Sequence, residues 1–198
     1  MSGMLPWYVA RSSGLIAWAL LAASVLWGLA ISTRVLRGTP RPSWLLDLHR
    51  YLGGIATVFV GVHIVALLGD TYMHFGLASV LVPFASSWHP VAVAWGVTAF
   101  YVLLAVELTS LLRTRIPKRL WRATHYASFP LFVVATIHSV SAGTDARTWV
   151  FEVVATLTMM TVAALTALRI QSRRLPARPA AAPIPQRPDR MRRSGRAA

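Results

Sequence analysis

The chain has 198 residues, of which 56% are hydrophobic and 13% charged, with a mean hydropathy of +0.55. A water-soluble domain of this length needs more charge for its surface, so the composition points to a membrane. The net charge of +14 does not mark nucleic acid, because the basic residues sit in short segments between long apolar runs, and the absence of cysteine excludes disulfides, iron–sulfur clusters and thioether-linked haem.

Five stretches have the roughly 20 apolar residues that a bilayer crossing takes: Gly14–Ser32, Leu46–Leu68, Val91–Leu112, Arg119–Val140 and Trp149–Ile170. The expected fold is therefore an all-α integral membrane bundle of five transmembrane helices. The N-terminus lacks a basic region and a clear cleavage site, so the first stretch reads as a retained helix. Between the second and third crossings, His74–Ala85 is apolar but short and holds Pro83, which suits an interfacial or re-entrant piece. Residues 1–172 form the expected membrane domain. Residues 173–198 are rich in Pro, Ala and Arg and are expected to be a disordered cytoplasmic tail drawn to anionic lipid.

The basic residues predict orientation. Arg34, Arg37, Arg41 and Arg50 flank the first connection, and Arg113, Arg115, Lys118, Arg119 and Arg122 crowd the third. The second connection has no Lys or Arg, and the fourth has only Arg147. The positive-inside rule then places the N-terminus outside and the C-terminus in the cytoplasm, in a multi-pass protein of a plasma membrane, with a bacterial source expected.

Four of the six histidines lie in the expected crossings: His49 and His63 in the second, His125 and His138 in the fourth. Ionisable residues at membrane depth are costly and mark functional sites. A neutral, hydrogen-bonded structural histidine explains one such residue better than it explains two matched pairs. The separations of 14 and 13 residues are each about 20 Å along a helix. The second and fourth crossings run in the same direction, so His49 comes level with His125 and His63 with His138. Each level offers two imidazoles to a porphyrin iron, and two such haems b stacked across the membrane would carry single electrons. One tension is geometric: 14 residues return to within about 40° of the same face, but 13 miss it by about 140°. The fourth helix must be overwound or bent, and Pro130 lies between its histidines.

Other residues carry weaker signals. Arg50 and Arg122, with Lys118 and Arg119, flank the inner pair as candidate haem-propionate partners, and Arg11 or Arg147 could serve the outer one. Gly53, Gly54 and Gly61 would let a flat macrocycle or another helix approach the second crossing. Glu107 is expected to pair with Arg113 or another inner arginine, ahead of serving as a proton relay. His74 and His89, with Asp70, Tyr72 and Met73, form a possible outer acceptor or metal site. Trp7, Trp44, Trp88, Trp121 and Trp149 read as an interfacial aromatic belt.

The stretches LHRYLGGIATVFVGVHIVALL (Leu48–Leu68) and WRATHYASFPLFVVATIHSVSAGTD (Trp121–Asp145) resemble the ferric reductase-like transmembrane component family, as do ARSSGLIAW and HFGLASVLVPFASSWHP. That family supplies the membrane domain of NADPH oxidases, and the resemblance spans roughly residues 7–170. It implies a dihaem cytochrome b that moves electrons outward, with His49, His63, His125 and His138 as axial ligands. Larger relatives carry a flavin- and nicotinamide-binding domain, whereas these residues hold no G-x-G-x-x-G motif. The expected donor is a separate flavoprotein or a quinol, and the expected acceptor is ferric iron, oxygen, quinone or a periplasmic protein. Whether the chain is an enzyme in its own right stays open. The alternatives are a non-enzymatic membrane partner or assembly subunit with structural histidines, and a transporter, which would want more intramembrane acid than Glu107.

Overall fold

The computed structural model describes residues 4–33, 43–70 and 75–174. They form seven helices: α1 (Leu5–Thr33), α2 (Ser43–Leu68), α3 (Leu77–Leu81), α4 (Pro90–Leu111), α5 (Lys118–Tyr126), α6 (Ser128–Ala142) and α7 (Trp149–Arg174), with a 3-10 turn at Thr144–Arg147. No strand occurs among the described residues. The basic connection with Arg34, Arg37 and Arg41, and the tail from residue 175, lie outside them.

Helices α1, α2, α4 and α7 are long and apolar enough to cross a membrane. Their outward faces carry large apolar side chains, such as Val58, Val62 and Val65 on α2 and Val153, Leu157 and Met160 on α7. An exposed apolar surface of this extent belongs against lipid, and the chain is a multi-pass membrane protein.

The stretch expected as one fourth helix is divided at Ala127 into α5 and α6. Pro130, the third residue of α6, has no N–H to offer the Tyr126 carbonyl, and its ring would crowd that carbonyl in a continuous helix. The chain answers by tightening: Ala127 has ψ −10°, and its N–H bonds the Thr124 carbonyl at 3.0 Å, an i→i−3 link. That is 3-10 geometry, which turns about 20° more per residue than an α-helix. The bend lies between His125 and His138, as the 13-residue spacing requires.

The first helix begins nine residues before the expected Gly14, at Leu5. The short piece after α2 is α3, whose five residues are far too few to span. It is fastened to α4 by the Tyr101 hydroxyl, which donates to the Leu81 carbonyl at 2.8 Å, and by Phe75, Val80, Val93 and Val97, which pack together.

The main core joins α1, α4, α6 and α7 around Trp18, which is 7% exposed. Its ring stacks on Phe132 at 6.2 Å and leans on Phe151 at 5.2 Å, while its Nε1–H donates to Thr136 Oγ1 at 3.0 Å. Thr136 stands one half-turn from His138, so this wedge also fixes the second histidine helix. Trp18→Ala should destabilise the protein by about 3 kcal/mol through the cavity it leaves. Thr136→Val should cost only about 0.6 kcal/mol, the usual worth of one intramembrane hydrogen bond. Thermal unfolding in detergent compares the two, and equal losses would show that packing does not outweigh the hydrogen bond.

Candidate functional site

Helices α2 and α5–α6 bring the four histidines together as two pairs. The His49 and His125 rings are 5.9 Å apart between centroids and 81° between planes. The His63 and His138 rings are 6.4 Å and 78° apart. In each pair the planes are close to perpendicular, so the rings do not stack.

Three of the imidazoles are held by backbone carbonyls of a neighbouring helix. His63 Nδ1 donates to Ala10 O at 2.7 Å, His49 Nδ1 to Ser24 O at 3.1 Å, and His138 Nδ1 to Ala92 O at 2.8 Å. A carbonyl oxygen only accepts, so Nδ1 carries the proton and the Nε2 lone pair is left free in each ring. These carbonyls are already accepting bonds inside α1 and α4, and each has a second lone pair to give.

What makes them reachable is a glycine one turn further on. A Cβ at Gly14 would lie 3.0 Å from His63 Nδ1, one at Gly28 3.1 Å from His49 Cε1, and one at Gly96 2.6 Å from His138 Cε1. A Cβ at Gly96 would force the His138 ring to shift, and one at Gly14 or Gly28 would crowd the facing imidazole by a few tenths of an ångström. Sequence reasoning weighed the glycines of α2 instead. Gly54 and Gly61 face open space, and Gly53 faces the Glu107 carboxylate, with Oε1 2.7 Å from where a Cβ would stand. The overlooked signal is the 14-residue interval from Gly14 to Gly28, which repeats the interval from His49 to His63 on the antiparallel partner.

The second pair borders a mostly apolar cavity of about 270 Å³, lined also by Gly14, Gly96, Trp18 and Leu131. Arg11 and Asp145 also line it. The Arg11 guanidinium forks onto both carboxylate oxygens of Asp145, tying α1 to the turn before α7. Arg11 is therefore engaged by an acid in this structure and is not simply available, as the sequence suggested. At the first pair, Trp121 stacks on His125 at 5.3 Å and 23°. Arg50 is exposed and reaches Asp47 at 3.4 Å; Arg122 is exposed on α5, one turn before His125. A cation that the sequence had not singled out, Arg169 of α7, lies 5.5 Å over the Tyr126 ring close to His125.

One expectation is corrected. Glu107 forms no ion pair with Arg113 among the described residues, because its carboxylate is turned toward Gly53 of α2. The outer acceptor or metal site expected around His74 and His89 is described only in part. His89 caps α4 with an exposed ring against Trp88, and Asp70 is buried. No group of three His, Cys, Asp or Glu among the described residues could hold a metal. Tyr72, Met73 and His74 lie outside those residues.

The Arg11 hydrogen bonds hold the Asp145 carboxyl below the usual carboxylate range. A depressed folded-state pKa gives stability that is complete above the unfolded value of about 3.9 and is lost as pH falls through the folded one. The pair is partly exposed, so the effect is no more than about 1 kcal/mol. Asp145→Asn should lower the unfolding temperature slightly at pH 7, and the difference from the parent protein should shrink as pH falls below the unfolded value of about 3.9. A difference independent of pH would show that the bridge is not its source.

Searches of curated proteins and of solved structures return no match. The family described as ferric reductase like transmembrane component matches residues 13–136, a stretch that includes His49, His63 and His125 and stops two residues before His138. That is more than half of the chain, and with the paired histidines and apolar helices it supplies the conclusion that the chain belongs to the ferric reductase-like transmembrane family, as a membrane electron-transfer component.

Proposed function

We propose that the two histidine pairs are the axial ligands of two haems b, and that the chain passes single electrons across the membrane through them. The observation that carries this reading is the ring separation. A bond of about 2 Å from each nitrogen to the metal, with roughly 1 Å more from each nitrogen to its ring centre, sets bis-imidazole centroids about 6 Å apart. The centroid separations of 5.9 and 6.4 Å fit that spacing at both levels. The donor set fits as well: the carbonyl bonds orient the rings and leave Nε2 free, which is how histidine ligands are commonly prepared. Each pair would hold one haem, and the bound group would supply one-electron transfer.

The chain's own residues define the rest of the proposal. Helices α5 and α6 together make the fourth of five crossings, with the N-terminus outside and the basic third connection in the cytoplasm. His49 and His125 then form the inner level, and His63 and His138 the outer. The levels are about 20 Å apart along α2. Arg50, Arg122 and Arg169 flank the inner level as partners for propionates, while Arg11 can serve the outer one by sharing its fork with Asp145. Outward transfer from a negative interior is favoured by about 2.3 kcal/mol per 100 mV. A flavoprotein or a quinol is the proposed donor, and ferric iron, oxygen, quinone or a periplasmic protein the proposed acceptor.

Reduced-minus-oxidised spectra of protein expressed with haem supplementation should show a b-type α-band at two haems per chain. A protein without bound haem would leave the structural-histidine reading in its place. His63→Ala should remove the outer haem and retain the inner one. Gly96→Ala should do the same more mildly, because its Cβ collides with His138 and nothing at the other level. Equal loss of both haems in either variant would contradict the pairing.

A further inference from the structure

Three of the four imidazoles share one device, and the fourth departs from it. The carbonyls of Ala10, Ser24 and Ala92 each lie four residues before a glycine, Gly14, Gly28 and Gly96. On α1 the two copies of this device are 14 residues apart. The same step along α4, from Ala92 and Gly96, leads to Val106 and Ser110. Since α4 packs antiparallel to α5 and α6, the register that sets Gly96 against His138 carries position 110 to the level of His125. A serine stands where the other three positions have glycine.

At this level two polar atoms are buried without a partner among the described residues, Ser110 Oγ and His125 Nδ1. Neither is usual here. Every other ligand-candidate imidazole bonds a carbonyl, and on α4 itself Thr98 and Thr109 bond back to Ala94 and Ala105, while Ser110 does not. The third orphan, Trp121 Nε1, is a donor only and cannot receive a proton from an imidazole N–H.

We propose that Ser110 is the positioning residue of His125: its Oγ accepts the Nδ1–H, and its own hydroxyl hydrogen passes to the Val106 carbonyl behind it. The hydroxyl thus stands where glycine admits the imidazole at the other three positions, and it relays the ring to the corresponding carbonyl. The proposal rests on His125 being a haem ligand. The bond selects the tautomer with Nε2 free and makes the ring a stronger donor, which favours ferric iron at the inner level.

The test uses the full chain in detergent, loaded with haem, with Ser110→Ala, Ser110→Thr and Ser110→Gly, read by haem stoichiometry and by redox titration of both components. Ser110→Ala removes the acceptor and keeps the carbonyl blocked. The ferric/ferrous balance of one haem should shift about tenfold toward ferrous, an upward change of about 59 mV, or that haem should be lost, with the other unmoved. Ser110→Thr should restore the parent value. Ser110→Gly should retain the haem too, because it opens the Val106 carbonyl as at the other three positions. Parent-like behaviour of Ser110→Ala, or a worse outcome for Ser110→Gly than for Ser110→Ala, overturns the proposal. His125→Ala is the control for the reading beneath it: if both haems survive that change, the ligand assignment has failed rather than the role of Ser110.

Discussion

The contact on which the site depends is an imidazole N–H laid against a helix carbonyl, where a glycine one turn away has left room. In lipid every backbone polar group is satisfied within its own helix, so a polar side chain entering the bundle finds few free partners. The second lone pair of a helix carbonyl is one of them. It is normally screened by side chains of the following turn, and removing a single Cβ exposes it. Gly14, Gly28 and Gly96 do this for His63, His49 and His138. The arrangement satisfies Nδ1, fixes the tautomer and aims the ring, all without a charged group at membrane depth.

This contact also explains how the helices are ordered in space. An imidazole on α2 needs α1 behind it, and one on α6 needs α4 behind it, so each histidine helix is backed by the long helix it packs against most closely. The two hairpins then face each other through their rings. Trp18 locks them from the side, joining α1 to α6 through Phe132 and Thr136 and to α7 through Phe151.

Much of the architecture was legible in the sequence because hydropathy and spacing are local. The apolar runs located α1, α2, α4 and α7, and the 13-residue interval with Pro130 required the break found at Ala127. The pairing of His49 with His125 and of His63 with His138 followed from direction and rise alone. What the sequence hid were contacts between helices. Glycines on α2 looked meaningful because they share a helix with two histidines, yet the ones that matter lie across the interface on α1 and α4. Glu107 was assigned to an arginine on its own side of the chain, and its rotamer takes it to Gly53 of α2. The Arg11–Asp145 bridge spans 134 residues, a distance over which no pattern of charges specifies a partner.

The two hairpins are near-repeats, and their difference falls at one level. The first is regular: a continuous α2 with histidines 14 apart, backed by glycines 14 apart. The second has a broken helix with histidines 13 apart, backed by a glycine and a serine 14 apart. Both irregularities displace the same ring, His125, which sits on the short amphipathic α5 rather than on α6. Removing one residue and breaking the helix changes how that ring approaches α4, and a bare carbonyl behind a glycine suits only the approach that the other three rings make. A hydroxyl at position 110 can rotate to meet a ring arriving differently. On this view Ser110 and the Ala127 break are two parts of one adjustment, and the level nearest the basic connection is where the histidine geometry departs from the regular pattern.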